Sequence, residues 1–201
     1  MVEKNKRKLQ AEKTKKAIIE SITQMVSERP ISQLTIREIC SHTGISPGAF
    51  YHHFDSKEAA ILFSYQTVDY KFEELARDGT PLQNIRSIIA LHLGLISWDN
   101  INSVKSVYIS HLVYYDEYFF RESRPIFVDL KEEISAYLGK EPDHEAVHEL
   151  AWKLLRFCRG MMYNACIDPG NMLDQWPEQQ TDEVMEYFLF QVNKLQKESL
   201  R

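Results

Sequence analysis

Residues 35–58, TIREICSHTGISPGAFYHHFDSKE, constrain this chain more than any other stretch. Thr35 followed three residues later by Glu38 is a capping box, which fixes a helix start. Ile36, Ile39 and Cys40 then supply an inward face for a short helix. Gly44 stands where a left-handed turn ends that helix. Ser46-Pro47 caps and opens a second short helix. Phe50 and Phe54, four apart, face the core, so Tyr51 and His52 point elsewhere. Asp55, with Glu58 three residues on, starts a further helix with Lys57 in its first turn. Two short helices joined by a tight glycine turn form a helix-turn-helix, the unit whose second helix fits the major groove of DNA.

Charge follows the same division. The chain carries a net −5 over 201 residues, but residues 1–58 are net +3 and residues 59–201 net −8. Seven of the ten basic groups in the first part fall within residues 1–16. Basic charge thus gathers where phosphate contacts are needed, beside an acidic body. At 44% hydrophobic and 26% charged residues, the composition is that of a folded globular chain. Apolar runs are too short to span a bilayer, so no membrane partner is expected. The charged N-terminus lacks the apolar stretch of a signal peptide, and three cysteines at no framework spacing suit a reducing compartment; the cytoplasm is the expected location.

The apolar spacing is helical throughout and no alternating strand appears, which predicts an all-α fold. Helices are expected over 13–29, 35–41, 46–52, 55–77, 80–97, 101–115, 122–138, 143–167 and 181–197. The division expected is a helix-turn-helix domain at residues 1–55 and a helical ligand-binding and dimerisation domain at 56–201. The helix over 55–77 is expected to join the two without a flexible linker.

As a set, Thr35, Ile36, Ile39, Gly44-Ile45-Ser46, Gly48-Ala49-Phe50-Tyr51, His53-Phe54 and Ser56-Lys57-Glu58 resemble the N-terminal domain of the TetR family of bacterial transcriptional regulators. The resemblance covers about residues 10–60. Cys40 departs from the family pattern, which usually has alanine there; both are small and apolar. The resemblance implies that Thr35, Tyr51 and Lys57 hold phosphates of double-stranded DNA, while Ser46, Pro47, Ala49 and His52 lie at or near base edges. Small Gly48 lets the backbone approach DNA, and Arg37 reaches either phosphate or base. The second helix carries no Arg or Lys, so a bidentate cation on guanine is not offered there.

The body supplies two aromatic tracts, 108–120 and 152–163. Trp98, His111, Tyr115, Tyr118, Trp152 and Phe157 are the candidates for a cavity taking an unknown small-molecule effector; aromatic walls with polar tips suit such a site. The helices over 143–167 and 181–197 resemble the family's dimerisation pair, with stripes at Val147, Leu150, Leu154, Phe157 and Met161 and at Val184, Tyr187, Phe188 and Val192. A homodimer through these last two helices would set two reading helices about one DNA turn apart, roughly 34–36 Å, over a near-palindromic operator. The expected function is a ligand-responsive repressor released by a small molecule, with no enzymatic activity, no cofactor and no metal.

Other readings compete. His144-Glu145-Ala146-Val147-His148 matches the short HExxH pattern of zinc hydrolases, in which two histidines four apart share a metal. A metal-sensing regulator is a milder version of the same idea. Cys158 and Cys166 lie eight apart, about 12 Å along a helix axis, too far for an intrachain disulfide. Buried free cysteine is the expected state, with cross-dimer pairing and redox sensing as the competing role.

Overall fold

A computed structural model describes residues 2–97, 99–171 and 176–198 of the chain. Among these residues the fold is all helical: α1 Val2–Glu28, α2 Ile36–Thr43, α3 Pro47–Tyr51, α4 Lys57–Gln66, α5 Tyr70–Glu73, α6 Pro81–Leu93, α7 Ile101–Val113, α8 Pro125–Leu138, α9 Glu145–Ile167 and α10 Glu178–Glu198. Short 3₁₀ turns at Ile31–Gln33, Glu117–Phe120 and Pro169–Asn171 complete the secondary structure. The chain forms two compact units. One contains residues 1–67 and 99–119, the other residues 68–98 and 120–201. This partition is not the expected 1–55 and 56–201, because α4 and α7 both pack with the N-terminal helices.

In the first unit α1 lays Ile18, Ile19, Ile22 and Val26 against Ile39 and Cys40 of α2, Phe50 of α3, Ala60, Ile61 and Leu62 of α4, and Val107 of α7. These spacings of three and four residues on α1 make one apolar stripe, which is why a long and otherwise charged helix holds its place. Helix α7 adds polar ties: Asn102 Nδ2 donates to the Ser27 carbonyl at 3.0 Å and Ser103 Oγ to the Thr23 carbonyl at 3.2 Å. A stretch 75 residues away in sequence therefore completes the N-terminal core.

In the second unit α6 packs on α8, α9 and α10, and α9 packs on α8 and α10. Ile85, Ile88, Ile89 and Leu93 of α6 meet a core shared with Phe127, Leu130 and Ile134 of α8, Val147, Leu150, Leu154 and Cys158 of α9, and Val184, Phe188 and Val192 of α10. The start of α6 is locally encoded: Thr80 Oγ1 accepts from the Gln83 amide, Gln83 reaches back to the Thr80 amide, and Pro81 takes the first turn.

The helix expected over 55–77 is broken. Helix α4 stops at Gln66, and Thr67 to Asp69 turn before α5. Local hydroxyls favour the break. Ser64 Oγ donates to the Ile61 carbonyl at 2.6 Å and Thr67 Oγ1 to the Ser64 carbonyl at 2.7 Å, while the Thr67 amide donates to the Ser64 carbonyl, three residues back, at 3.2 Å. No helix among the described residues is long and apolar enough to cross a membrane.

Candidate nucleic-acid interface

Each short helix of the first unit is pinned at its start by its own sequence. Thr35 Oγ1 accepts from the Glu38 amide at 3.2 Å, and Glu38 Oε2 accepts from the Thr35 amide at 2.8 Å. Arg29 Nη2 donates to Glu38 Oε1 at 2.8 Å, which ties the end of α1 to this cap. The hydrogen bond with the Thr35 side chain and then the one with Arg29 hold the Glu38 carboxyl down at about 2. Gly44 closes α2 with φ 75°, the left-handed region where a side chain is strained. Ser46 Oγ then accepts from the Ala49 amide at 3.2 Å and Pro47 begins α3.

The caps fix which side chains face outward. Phe50 is fully buried and packs edge-on to Tyr51, whose ring is 55% exposed. Thr35, Arg37, Ser46, Pro47, Gly48, Tyr51 and His52 are all exposed, and Ala49 is half-buried. The residues expected at phosphates and bases therefore occupy the solvent side of α2 and α3, with no acidic side chain between Pro47 and His52.

Lys57 differs from the expectation of a ready phosphate ligand. Its Nζ donates to the Leu34 carbonyl at 2.7 Å and lies 3.9 Å from Glu58. Leu34 ends the loop before Thr35, so this bond staples the start of α4 to the start of α2. A phosphate contact from Lys57 has to share or break it. Lys15, not among the expected residues, lies with Nζ 3.4 Å from the Phe63 ring centre and 5.4 Å from that of Phe54, and burial lowers its pKa. It borders a recess of about 370 Å³ with His53, Ser56, Gln66 and Tyr115.

The six expected cavity residues divide between the two units. His111, Tyr115 and Tyr118 belong to the first unit, Trp152 and Phe157 to the second, and Trp98 lies outside the described residues. His111 stacks on Phe119 with ring centres 4.5 Å apart, and Tyr115 is 81% exposed. Trp152 packs against Phe127 at 4.7 Å, and its Nε1 donates to Glu122 at 3.3 Å. Phe157 packs on Tyr187 at 4.8 Å and borders a recess of about 560 Å³ with Met161, Asn164, Trp176 and Gln180.

The second unit also holds a buried polar cluster. Arg124 is held by the Asp69 carboxylate in a fork, Nη2 to Oδ1 at 2.7 Å and Nε to Oδ2 at 3.1 Å, with both residues buried. His92 on α6 is 1% exposed, and neither ring nitrogen has a hydrogen-bond partner among the described residues. Burial, then the nearby charges of Arg124 and Arg159, push its pKa down to about 3. Leaving such buried groups unsatisfied costs on the order of 1–3 kcal/mol. The signal for His92 was present in sequence: it continues the core spacing of Ile85, Ile88 and Ile89. The Asp69–Arg124 pair spans 55 residues and has no such signal.

The competing motifs resolve into helix-end and core roles. His144 is the N-cap of α9 with extended backbone, so it leaves the helical face it needs to share with His148. Its Nδ1 accepts from the Ala146 amide at 3.1 Å, while His148 Nε2 meets Glu122 at 2.7 Å. No group of three or more His, Cys, Asp or Glu placed to hold a metal ion occurs among the described residues. Cys158 is fully buried and desolvation pushes its thiol up to about 12, which disfavours the reactive thiolate. Cys166 is also buried.

The apolar stripes assigned to a dimer mostly serve the chain itself. Val147, Leu150, Leu154, Val184, Phe188 and Val192 are at most 3% exposed in the single chain, because α9 and α10 pack on each other, α9 also on α8 and both on α6. The apolar side chains left outward on these helices are Tyr163, Ile167, Leu189 and Phe190, the last 63% exposed.

A family model described as bacterial regulatory proteins, tetR family, matches residues 18–62, from the apolar face of α1 into α4. The HTH-type transcriptional regulator UidR of Escherichia coli K12 is 33% identical over 81 residues, a stretch spanning 39% of this chain and 39% of UidR. A TetR transcriptional regulator from Rhodococcus sp. RHA1 superimposes with a TM-score of 0.63 at 12% identity, covering 89% of this chain and 96% of that one. NalD of Pseudomonas aeruginosa, described as the secondary repressor of the MexAB-OprM multidrug efflux pump, gives 0.57 at 18% identity over 90% of this chain and 97% of its own. These last two likenesses extend the shared fold through the second unit. The family model and the relatives thus point, over residues 18–62, to the tetR family of bacterial regulatory proteins, and the solved structures share the helical fold.

Proposed function

We propose that this protein is a DNA-binding transcriptional repressor that acts as a homodimer in the cytoplasm and responds to a small molecule, and that it is not an enzyme. One observation carries the reading most directly: α3 is capped by Ser46 and Pro47 so that Pro47, Gly48, Tyr51 and His52 face solvent beside exposed Thr35 and Arg37. Tyr51 offers its hydroxyl to phosphate oxygens, the Thr35 hydroxyl has to exchange its 2.7 Å bond to Glu38 Oε2 to do the same, Arg37 offers a guanidinium, and Ser46, Pro47, Ala49 and His52 form the edge presented to bases. The absence of Arg and Lys from α3 favours reading by groove shape and thymine methyl groups. The basic residues of α1 add charge that makes affinity salt-dependent. The description of NalD as a repressor supports the repressor sense. Exposed Phe190, Leu189, Tyr163 and Ile167 on α9 and α10 suit a two-fold apolar contact with a second copy.

Electrophoretic shift with DNA fragments upstream of its own and adjacent genes tests the reading. Saturable, sequence-selective binding that weakens steeply with salt is expected from a dimer seen by light scattering. A folded protein that binds all fragments equally, or none, overturns it.

A further inference from the structure

The first unit contains a recess whose charges are not matched to one another. Its volume is about 370 Å³, and every residue that lines it lies in this unit. Phe54 after α3, Phe63 on α4, and Tyr114 and Tyr115 after α7 supply aromatic walls. The Lys15 ammonium sits on two of these rings, 3.4 Å from the centre of Phe63 and 5.4 Å from that of Phe54. No carboxylate pairs with it among the described residues, and burial lowers its pKa. Two carboxylates line the same recess, those of Asp55 and Asp116. Neither forms an ion pair among the described residues; Asp116 Oδ1 accepts from the Tyr118 amide at 3.0 Å.

Lys15 shows what the rings accept. A cation over an aromatic face is attracted by the ring quadrupole, and aromatic boxes recognise alkylated ammonium groups in this way. With Lys15 in place, two acids stand against one ammonium; with Lys15 turned out to solvent, two acids and four aromatic rings remain. His53 adds no positive charge near neutral pH, because burial, then the charges of His52 and Lys15, lowers its pKa. An anion would meet Asp55 and Asp116, so the balance favours a cation. The volume is within the range of small-molecule sites, and Ala59 and Leu62 suit an apolar body. We propose that this recess binds a small organic cation with an apolar body, and that Lys15 is its tethered stand-in, swung into solvent when the cation enters. The long, flexible lysine stem allows that exchange. This rests on the reading of the chain as a ligand-responsive regulator and adds a ligand class and a place for it in the unit that carries α3.

Titration calorimetry on the full chain tests this with benzyltrimethylammonium against benzyl alcohol and benzoate, which keep the ring and change the charge. The cation should bind at least about fivefold tighter than either. Lys15→Met should tighten its binding about fivefold, because the competitor is gone. Lys16→Met removes the same charge at a side chain 79% exposed and should change the affinity by less than about twofold. Phe63→Leu should weaken binding about fivefold while circular dichroism stays helical; if that variant fails to fold, the two lysine variants carry the test. The proposal is overturned by no preference for the cation, by an affinity that Lys15→Met leaves unchanged or lowers, by an equal rise in Lys16→Met, or by a folded Phe63→Leu that binds as before. DNA binding measured in parallel separates the two readings. Salt-sensitive operator binding without cation preference sinks this inference and leaves the regulator standing. Cation preference without DNA binding does the reverse.

Discussion

Arg124 and Asp69 meet in the core of the second unit through two parallel hydrogen bonds of 2.7 and 3.1 Å, with side chains only 2% and 7% exposed. Neither charge has water to fall back on. Asp69→Ala should therefore destabilise the protein by about 3–5 kcal/mol, because it removes the carboxylate that holds a buried guanidinium. The double variant Asp69→Leu, Arg124→Met should recover much of that loss. Urea denaturation of the single and double variants measures both, and a single-variant loss below about 1 kcal/mol would show that the pair is not desolvated.

His92 gives a pH dependence of known sign. Its folded-state pKa is depressed to about 3 from the ordinary 6.5, so the unfolded chain takes up its proton first. Its contribution is fully present above about pH 6.5 and is lost as pH falls toward 3, at up to about 1.4 kcal/mol per pH unit. Without ligand, His92→Phe should flatten the fall between pH 6.5 and 4.5 and raise stability at neutral pH by about 1 kcal/mol, since the unsatisfied nitrogens are gone. Thermal melts of the two proteins across pH decide; equal slopes would mean that the ring is solvated.

Gly44 isolates a backbone effect. A Cβ built there meets nothing within 4 Å, so the cost of Gly44→Ala is conformational alone. With φ at 75°, that cost should be about 1–2 kcal/mol, and Gly44→Asn should be milder. Chemical denaturation gives the comparison, and an alanine as stable as glycine would mean that the turn can reorganise.

Tyr51 should separate stability from DNA affinity. Its ring is 55% exposed, so Tyr51→Ala should change stability by no more than about 0.5 kcal/mol. Loss of a phosphate-directed hydroxyl and its packing should weaken operator binding by about tenfold. Fluorescence anisotropy at fixed salt reads the second number. An unchanged affinity removes Tyr51 from the interface.

Cys158 should resist chemistry. A fully buried thiol pushed up to about 12 is neutral at physiological pH. Iodoacetamide should label it only in denaturant, and mass spectrometry of peptides reports the site. Rapid labelling in the native protein would reopen the redox reading.

Local signals were legible where the chain encodes them within one turn. The Thr35–Glu38 and Thr80–Gln83 boxes, the Ser46-Pro47 start and the Gly44 stop all appear where their side-chain chemistry puts them. The exposed set on α3 follows from burying Phe50 and Phe54. Long-range facts were not legible. The break after Gln66 depends on Ser64 and Thr67 turning to nearby carbonyls, against an apolar pattern that continues through Phe72. The stripes on α9 and α10 read equally well as a dimer face or as a domain core, because periodicity reports which side is apolar and not what covers it. Lys57 carried the right charge, but its bond to the Leu34 carbonyl reflects a neighbour 23 residues away.

The first unit is built from two separate lengths of chain, residues 1–67 and 99–119. That has a consequence for recombination, both in the laboratory and in the history of such proteins. A single cut-and-paste near residue 55 or 67 would transplant the capped helices α2 and α3 but leave behind α7, which supplies Val107 to their core and the Asn102 and Ser103 ties to α1. A working graft has to carry α7 as well, or find a recipient whose own equivalent helix fits Ser27 and Thr23. The exposed face of α2 and α3 is thus contiguous in sequence, while the scaffold that holds it is not.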